Sequence, residues 1–142
     1  MITVATITVT HLADEQFEIT TRGHRVVVDQ SHRDREEAGP SPTELFVAGL
    51  AACVGHYADM FLNKRGLPYD GLRVECDWTM RPEPARVGRV RMSVTTPAPV
   101  PTELHEEMYR YMDQCTVHNS LRQPPSVDIA LAELDAHVEQ PA

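Results

Sequence analysis

The sequence has few cysteines, little positive charge and no very long apolar run, and each shortage excludes a class of protein. Only three of its 142 residues are cysteines, too few for the disulfide framework of a small secreted domain. No apolar run reaches the roughly 18 to 20 residues needed to cross a bilayer, so a membrane protein is not expected. Because the N-terminal MITVATITVT lacks the features of a secretory signal, we expect a cytoplasmic chain with reduced thiols.

The shortage of positive charge argues against nucleic acid as a partner. The 13 lysines and arginines stand against 21 acidic residues, for a net charge of -8, whereas phosphate binding relies on clustered basic side chains. The arginines between positions 81 and 91 alternate with apolar residues and prolines, which is typical of a solvated hairpin. The composition, 42% hydrophobic and 24% charged, is that of a folded globular protein, and the length fits one domain, residues 1–142.

Several segments have the alternation of β-strands. ITVATITV, FEIT and HRVVVDQ are rich in β-branched residues and are separated by polar turns, which predicts a three-stranded meander. LRVECDWTM and GRVRMSVTT alternate strictly and predict a hairpin around RPEPARVG. In the tail SVDIALAEL, alternation of Val127, Ile129 and Leu131 favours a closing strand. Together with the helices below, these strands predict an α+β fold.

A long helix is predicted to follow a charged, aperiodic loop at residues 29–42. Ser41 has the character of an N-cap, a proline follows it, and Glu44 completes a capping box. Gly66, after two basic residues, marks the end of the helix. A second, amphipathic helix is predicted from about Thr102 to Gln114, with apolar residues at spacings of three and four.

The first helix is unusually apolar at its centre. LFVAGLAACV, residues 45–54, is apolar around the whole circumference, so it must be buried on nearly all sides. The sheet of a single chain covers only one face of such a helix. A homodimer in which two of these helices pack together would cover the rest, and tight packing of alanine and glycine within one chain is the alternative.

Two matched C-x-x-H pairs are the chemical signal. Cys53 and His56 share a face of the first helix, and Cys115 and His118 repeat the spacing after the second helix. Thiol redox chemistry between the cysteines and a tetrahedral zinc site both fit this pattern. So does a structural role, because free cysteines are most often small buried apolar residues. Cys76 alternates in register with the apolar residues of its strand and is assigned to the core.

The strings GPSPTELFVAGLAACVGHYADMFLNKRGLP, YDGLRVECDW and CTVHNSL together resemble the OsmC/Ohr family of thiol-dependent peroxidases. The resemblance runs from RGHRVVVD to the C-terminal strand. Its most specific part is an AAC cysteine inside an apolar helix, paired with a second cysteine after another helix. The resemblance implies an intertwined homodimer with curved antiparallel sheets around a long buried central helix, and two active sites at the interface.

The resemblance also implies roles for individual residues. Cys53 becomes the attacking thiolate and Cys115 the resolving thiol, with a dithiol or thioredoxin-like protein as reductant and no cofactor. A thiolate in mid-helix has no helix N-terminus of its own nearby, so we expect a cation to lower its pKa. In the hydroperoxidase branches that cation is an arginine from an early loop or hairpin. By spacing, Arg33 is the best match, with Arg35 and Arg22 as alternatives.

The sequence departs from the family pattern at two positions. The glutamate that holds the arginine directly follows the helix-start proline in the hydroperoxidase branches, but here Thr43 does, and Glu44 comes one residue later, a shift of about 100° around the helix. Many relatives described only as OsmC-like share this P-x-E-L form. We therefore keep Glu44 as a candidate catalytic residue and add His56 as a hypothetical source of charge or protons. Thr116 stands where relatives commonly have proline.

The resemblance thus implies reduction of a small-molecule peroxide through a Cys53 sulfenic acid and a Cys53–Cys115 disulfide. An organic hydroperoxide is the expected substrate because the surroundings of Cys53 are apolar. The alternative is a non-catalytic dimer that senses redox state, or binds zinc through Cys53, His56, Cys115 and His118.

Overall fold

The computed structural model describes residues 4–133, which contain two antiparallel sheets and three helices. In chain order the elements are β1 (Thr8–His11), β2 (Phe17–Thr21), β3 (His24–Val28), α1 (Pro42–Lys64), β4 (Arg73–Arg81), β5 (Arg86–Thr95), α2 (His105–Asp113) and α3 (Thr116–Arg122), with a 3-10 turn at Thr102–Leu104. The predicted α+β class, meander and hairpin are confirmed.

The first sheet has β2 between β1 and β3. Val9 pairs with Ile19, and Ile19 with Val26, so β-branched side chains adjoin across all three strands. The sheet begins later than predicted, because β1 starts at Thr8. Val9 and Val26 remain 55% and 42% exposed within the described residues.

Helix α1 begins and ends where the sequence predicts. Ser41 Oγ accepts the Glu44 N–H at 3.1 Å, and the Glu44 carboxylate accepts the Ser41 N–H at 2.8 Å, which completes the capping box. At the C-terminus Gly66 has a φ of 67°, a conformation that favours glycine. The Leu67 N–H then donates to the Leu62 carbonyl at 2.9 Å and closes the last turn.

One face of α1 forms the core of the chain. Ala58, Phe61 and Leu62 are fully buried and pack with Met108 of α2 and Val94 of β5. Burial of a leucine or phenylalanine side chain contributes about 1.5–3 kcal/mol, so these contacts fix α1 against β4, β5 and α2.

The opposite face of α1 is exposed within residues 4–133. The exposed apolar face, as we call it, comprises Phe46, Gly49, Ala52, His56 and Met60. These residues recur at spacings of three and four, so they form one continuous stripe. Within residues 4–133 the chain thus covers one face of α1, as expected of a single chain, and burial of the helix on nearly all sides stays a prediction. By length and composition α1 is also apolar enough to span a membrane, contrary to our expectation, although the core helix of a soluble protein passes the same test.

The C-terminal part of the chain differs from the prediction in two ways. The tail forms no strand between residues 124 and 133, and Val127, Ile129 and Leu131 are 76%, 94% and 88% exposed. An alternating segment becomes a strand only where a neighbouring strand accepts its hydrogen bonds. The last residue of the predicted strand, Leu134, lies outside the described residues. The sequence also fails to predict α3, which is only 7 residues long.

Candidate active site

The two cysteines of the C-x-x-H pairs lie side by side. Cys53 is half-buried in the middle of α1, and Cys115 is fully buried directly before α3. Their thiols are within hydrogen-bonding reach of each other. Leu50 and Val54, on the buried face of α1, pack against Cys115. Both thiols are free, so the pair can share a proton.

The pKa values of the two thiols are displaced in opposite directions. Burial raises the pKa of Cys53, but hydrogen bonds from the Val117 N–H, the Cys115 thiol and the Thr116 N–H outweigh burial, and its pKa is lowered. Burial and the hydrogen bond with Cys53 raise the pKa of Cys115, against the effect of the His118 N–H. Cys53 is therefore the thiol that ionises first, and Cys115 is its hydrogen-bond donor.

The start of α3 is fixed to α1 by contacts around these thiols. Cys115 is the N-cap of α3, and its sulfur accepts the His118 N–H at 3.5 Å. While Cys53 is a neutral thiol, the Cys115 S–H donates to the Leu50 carbonyl at 3.9 Å. When Cys53 ionises, this single S–H donates to the Cys53 sulfur instead. The hydroxyl oxygens of Tyr57 and Thr116 lie 3.2 Å apart. These contacts hold the first amide groups of α3 beside Cys53.

This arrangement provides a second means of stabilising the Cys53 thiolate, besides the cation that the sequence analysis expects. The premise was that no helix N-terminus lies near a mid-helix cysteine, but the first turn of α3 lies directly against it. The amides of Thr116 and Val117 lower the Cys53 pKa, and within residues 4–133 no cationic side chain contributes to it. Local sequence patterns do not predict this contact, because α3 is short and the two helices are far apart in the chain.

A cavity of about 710 Å³ lies behind the apolar residues that pack around Cys115, and neither Cys53 nor Cys115 lines it. Its size suits an organic ligand. The wall nearest the cysteines is apolar, since Val54, Met92 and Met112 line the cavity and also pack around Cys115. The lining also contains polar side chains. They are Ser93, Thr96, His105, Tyr109, Asp113 and His118.

The three candidate arginines occupy different places, and none of them contacts Cys53 in the described part of the chain. Arg33 is exposed in the loop before α1. Arg35 binds the buried carboxylate of Asp29 through two hydrogen bonds of 2.7 and 2.8 Å. Arg22, with a φ of 46°, forms the turn between β2 and β3. Asp29 thus holds Arg35 in the loop, and Arg33 stays the first candidate for the cation beside Cys53.

The described contacts of Glu44 and His56 are with residues other than Cys53. One carboxylate oxygen of Glu44 is used by the capping box. His56 lies on the exposed apolar face, and its ring packs edge-on against Tyr57 with centroids 5.2 Å apart. The catalytic roles of both residues stay predictions.

The zinc alternative lacks a preformed site. Residues 4–133 contain no group of three or more His, Cys, Asp or Glu side chains placed to hold a metal ion. The ring of His118 is instead bonded to Arg122. Cys76 is half-buried and pairs with Met92 across the hairpin, and burial raises its pKa. Its assignment to the core stays a prediction.

Comparison with known proteins points to one family. The family model described as OsmC-like protein matches residues 31–130, and no curated protein matches the sequence. A Psychrobacter arcticus 273-4 protein named for osmotic stress and a detoxification response is 20% identical, with 84% of this chain and 90% of that chain covered and a TM-score of 0.75.

Two further solved structures share the fold. An OsmC like protein from Mycoplasma pneumoniae is 18% identical, with 87% and 91% of the two chains covered and a TM-score of 0.71. The organic hydroperoxide resistance protein OhrB of Bacillus subtilis is 21% identical, with 84% and 92% covered and a TM-score of 0.60. At these identities the likeness shows the fold alone.

Proposed function

Because the chain belongs to the OsmC-like protein family, we propose that it reduces peroxides with its own thiols, Cys53 attacking the peroxide and Cys115 resolving the product. The observation that carries the proposal is the pair of adjacent thiols with opposite pKa displacements. Peroxides are attacked by the thiolate and not by the thiol, so the partner with the lower pKa is the nucleophile. The fold shared with an organic hydroperoxide resistance protein supports the same assignment.

The proposed reaction has three balanced steps. The Cys53 thiolate attacks the terminal peroxide oxygen, the O–O bond breaks, and the products are a Cys53 sulfenic acid and an alkoxide that takes a proton from water. The Cys115 thiol then attacks the sulfenic sulfur, a disulfide forms and water leaves. An external dithiol finally reduces the disulfide and becomes a disulfide itself.

The cavity favours an organic hydroperoxide over hydrogen peroxide. Val54, Met92 and Met112 line the cavity and also pack in the cluster that contains Cys115. Apolar side chains of this kind gain free energy when they cover an alkyl or aryl group, whereas hydrogen peroxide has no such group.

We also propose that the protein is a homodimer. The exposed apolar face of α1 includes Phe46 and Met60, which are 42% and 44% exposed. A stripe of apolar residues along a 23-residue helix is typical of a surface that another chain covers. Cys53 lies at the border of this face, so a second copy would come close to the reactive thiol. Arg33 is then the candidate cation, and its charge would add to the effect of the α3 amides.

The first experiment is a non-reducing peptide map by mass spectrometry. The fully reduced protein receives one equivalent of cumene hydroperoxide, and the paired thiols are identified over time. We expect a rapid and selective Cys53–Cys115 disulfide, with Cys76 still reduced. Cys76→Ser should behave like the wild type, whereas Cys115→Ser should stop at a Cys53 sulfenic acid that a dimedone probe traps. Serine is the better replacement because its hydroxyl can still cap α3.

The outcomes separate the two functions that the sequence predicts. Selective disulfide formation followed by repeated turnover with a dithiol would establish a peroxidase. Selective oxidation without turnover would instead identify a redox sensor. Slow or unselective oxidation of all three cysteines would contradict the proposal.

A further inference from the structure

A group of four arginines on the β4–β5 hairpin has no part in the reaction proposed above. The inner face of β5 carries Val90 and Met92, which pack in the cluster that contains Cys115. The arginines lie on the opposite, outer face of the hairpin and are exposed. We call this group the basic hairpin face, and it consists of Arg81, Arg86, Arg89 and Arg91.

The pairing register of the hairpin sets like charges against each other. Arg81 and Arg86 are directly opposed across the two strands, and directly opposed like charges destabilise an antiparallel pair. Arg91 is opposed to Asp77, but the two side chains form no ion pair. Within residues 4–133 none of the four arginines makes an ion pair. The positive charge of this face is therefore not neutralised by that part of the chain.

Two of the arginines are held in place without an acid. Nη1 of Arg86 donates to the carbonyl oxygens of Pro82 and Pro84, each at 3.0 Å. The side chain of Arg81 lies so close to Gly88 that a β-carbon at position 88 would overlap its Cγ. Side chains that are already ordered lose less conformational entropy on binding, so these contacts prepare the face for a ligand.

The spacing of the other two arginines matches the period of an extended chain. Arg89 and Arg91 are two residues apart on β5, so their side chains leave the same face about 7 Å apart, like the alternate side chains of any extended peptide. They border a depression of about 250 Å³ that is also lined by Asp77, Trp78 and Thr79. Guanidinium groups bind carboxylates through paired hydrogen bonds, and the threonine hydroxyl can add a donor.

We propose that the basic hairpin face binds an acidic segment of a partner protein, in an extended conformation and with carboxylates at alternate positions. The carboxylates pair with Arg89 and Arg91 and offset the repulsion between Arg81 and Arg86. This binding is independent of the proposed peroxidase function, because no step of that reaction uses these arginines.

The charge of the whole chain favours a short acidic segment over a nucleic acid. The net charge is -8, and the four arginines cover only part of one hairpin. A nucleic acid extends beyond this face and meets the acidic remainder of the surface. A short acidic segment instead stays within the reach of the arginine charges, about 8–10 Å at physiological salt.

The binding test uses the reduced full-length protein and two fluorescein-labelled peptides, measured by fluorescence anisotropy. One peptide has glutamate at every second position with valine between, and the other has glutamine in place of each glutamate. The glutamate peptide should bind about tenfold more tightly, and less so as the NaCl concentration rises. Arg89→Gln and Arg91→Gln should each weaken it about fivefold. Arg110→Gln removes the same charge from an exposed site on α2 and should bind like the wild type.

Arg81→Glu gives a readout that a purely structural role would not. It places a carboxylate opposite Arg86, so it should raise the Tm at low salt while it weakens the glutamate peptide about tenfold. A lower Tm would overturn the proposal, because Arg81 would then support the hairpin itself, and so would unchanged binding in this variant. Equal affinity for both peptides, or an equal loss in Arg110→Gln, would also overturn it. Tighter binding of oligothymidylate than of the glutamate peptide would overturn it in favour of a nucleic acid.

Discussion

Arg35 binds the buried carboxylate of Asp29 with both terminal nitrogens, at 2.7 and 2.8 Å. The same carboxylate accepts the backbone N–H of Ala38 at 2.9 Å and of Gln30 at 2.7 Å. A loop that the sequence marks as charged and aperiodic is thus ordered around one acid. Arg33 lies within this loop, two residues before Arg35, so the conformation of the loop decides where Arg33 points.

Asp29→Asn should reduce stability at neutral pH and remove an acid-sensitive contribution. Hydrogen bonds from Arg35 and Ala38 hold the pKa of the Asp29 carboxyl well below its usual value. Because the folded-state pKa is lower than the unfolded value of about 3.9, the contribution is complete above about pH 5 and is lost as the pH falls toward the folded-state pKa.

Urea unfolding at pH 7 and pH 3 measures this effect. The difference between wild type and Asp29→Asn should be larger at pH 7 than at pH 3. Asp34→Asn, an exposed acid of the same loop, is the matched control and should show little difference at either pH. An Asp29→Asn effect that is equal at both pH values would contradict the prediction.

Thr116→Pro should raise the pKa of Cys53. Proline has no backbone N–H, so one of the groups that lower the Cys53 pKa is removed. The substitution is compatible with α3, because Thr116 is its first residue and proline is well tolerated there. The measurement is the alkylation rate of Cys53 against pH, followed peptide by peptide.

Two further variants are measured in the same alkylation experiment. Thr116→Ala keeps the N–H and removes only the hydroxyl near Tyr57, so it should titrate like the wild type. His56→Gln tests the sequence-based hypothesis that His56 supplies charge, and a raised Cys53 pKa would support that hypothesis. An unchanged Thr116→Pro profile would show that the amide contributes nothing.

Glu44→Gln separates the capping role of Glu44 from a role of its charge. The side-chain oxygen of glutamine can still accept the Ser41 N–H, so the free energy of unfolding should change by less than about 0.5 kcal/mol. Glu44→Ala removes the acceptor and should cost about 1 kcal/mol. Chemical unfolding measures both, and a large loss in Glu44→Gln would contradict the capping account.

The reactivity of Glu44→Gln toward cumene hydroperoxide then tests the predicted catalytic role. A role in placing a cation at Cys53 requires the negative charge, so the variant should oxidise more slowly although it folds normally. Unchanged oxidation would restrict Glu44 to the cap of α1.

Phe46→Asp should convert the proposed homodimer to a monomer. The exposed apolar face of α1 would then carry a charge, and burying an unpaired charge in an interface is strongly unfavourable. Light scattering over a range of protein concentrations reports the mass. Met80→Asp, at a site on β4 that is 51% exposed, is the control and should keep the wild-type mass. A dimer that persists in Phe46→Asp would contradict the proposed interface.

Local signals predict the parts of the fold that depend on local interactions. The limits of α1 follow from Ser41, Glu44 and Gly66, whose hydrogen bonds span only one turn of the chain. The β4–β5 hairpin likewise follows from strict alternation on both sides of a turn. The α+β class therefore follows from the sequence, and the resemblance names the family.

The remaining parts depend on contacts between distant segments. The amides of Thr116 and Val117 reach Cys53 only because α3 packs on α1, and a 7-residue helix has no stable conformation of its own to predict. The alternation of Val127 and Ile129 resembles that of a strand, but the pattern alone does not supply a pairing edge. The bond between Arg122 and His118 requires the α3 helix, in which the two residues stand one turn apart.

Besides its proposed role as the resolving thiol, Cys115 makes contacts that hold α3 against α1. Its sulfur caps α3 and, while Cys53 is neutral, donates to the Leu50 carbonyl. A sulfur without its hydrogen can still accept from the His118 N–H, but it can no longer donate to Leu50. Any oxidation of Cys115 therefore removes one of the ties between α1 and α3, while the Tyr57–Thr116 contact is left in place. The number of hydrogen bonds between α1 and α3 therefore depends on the oxidation state of Cys115.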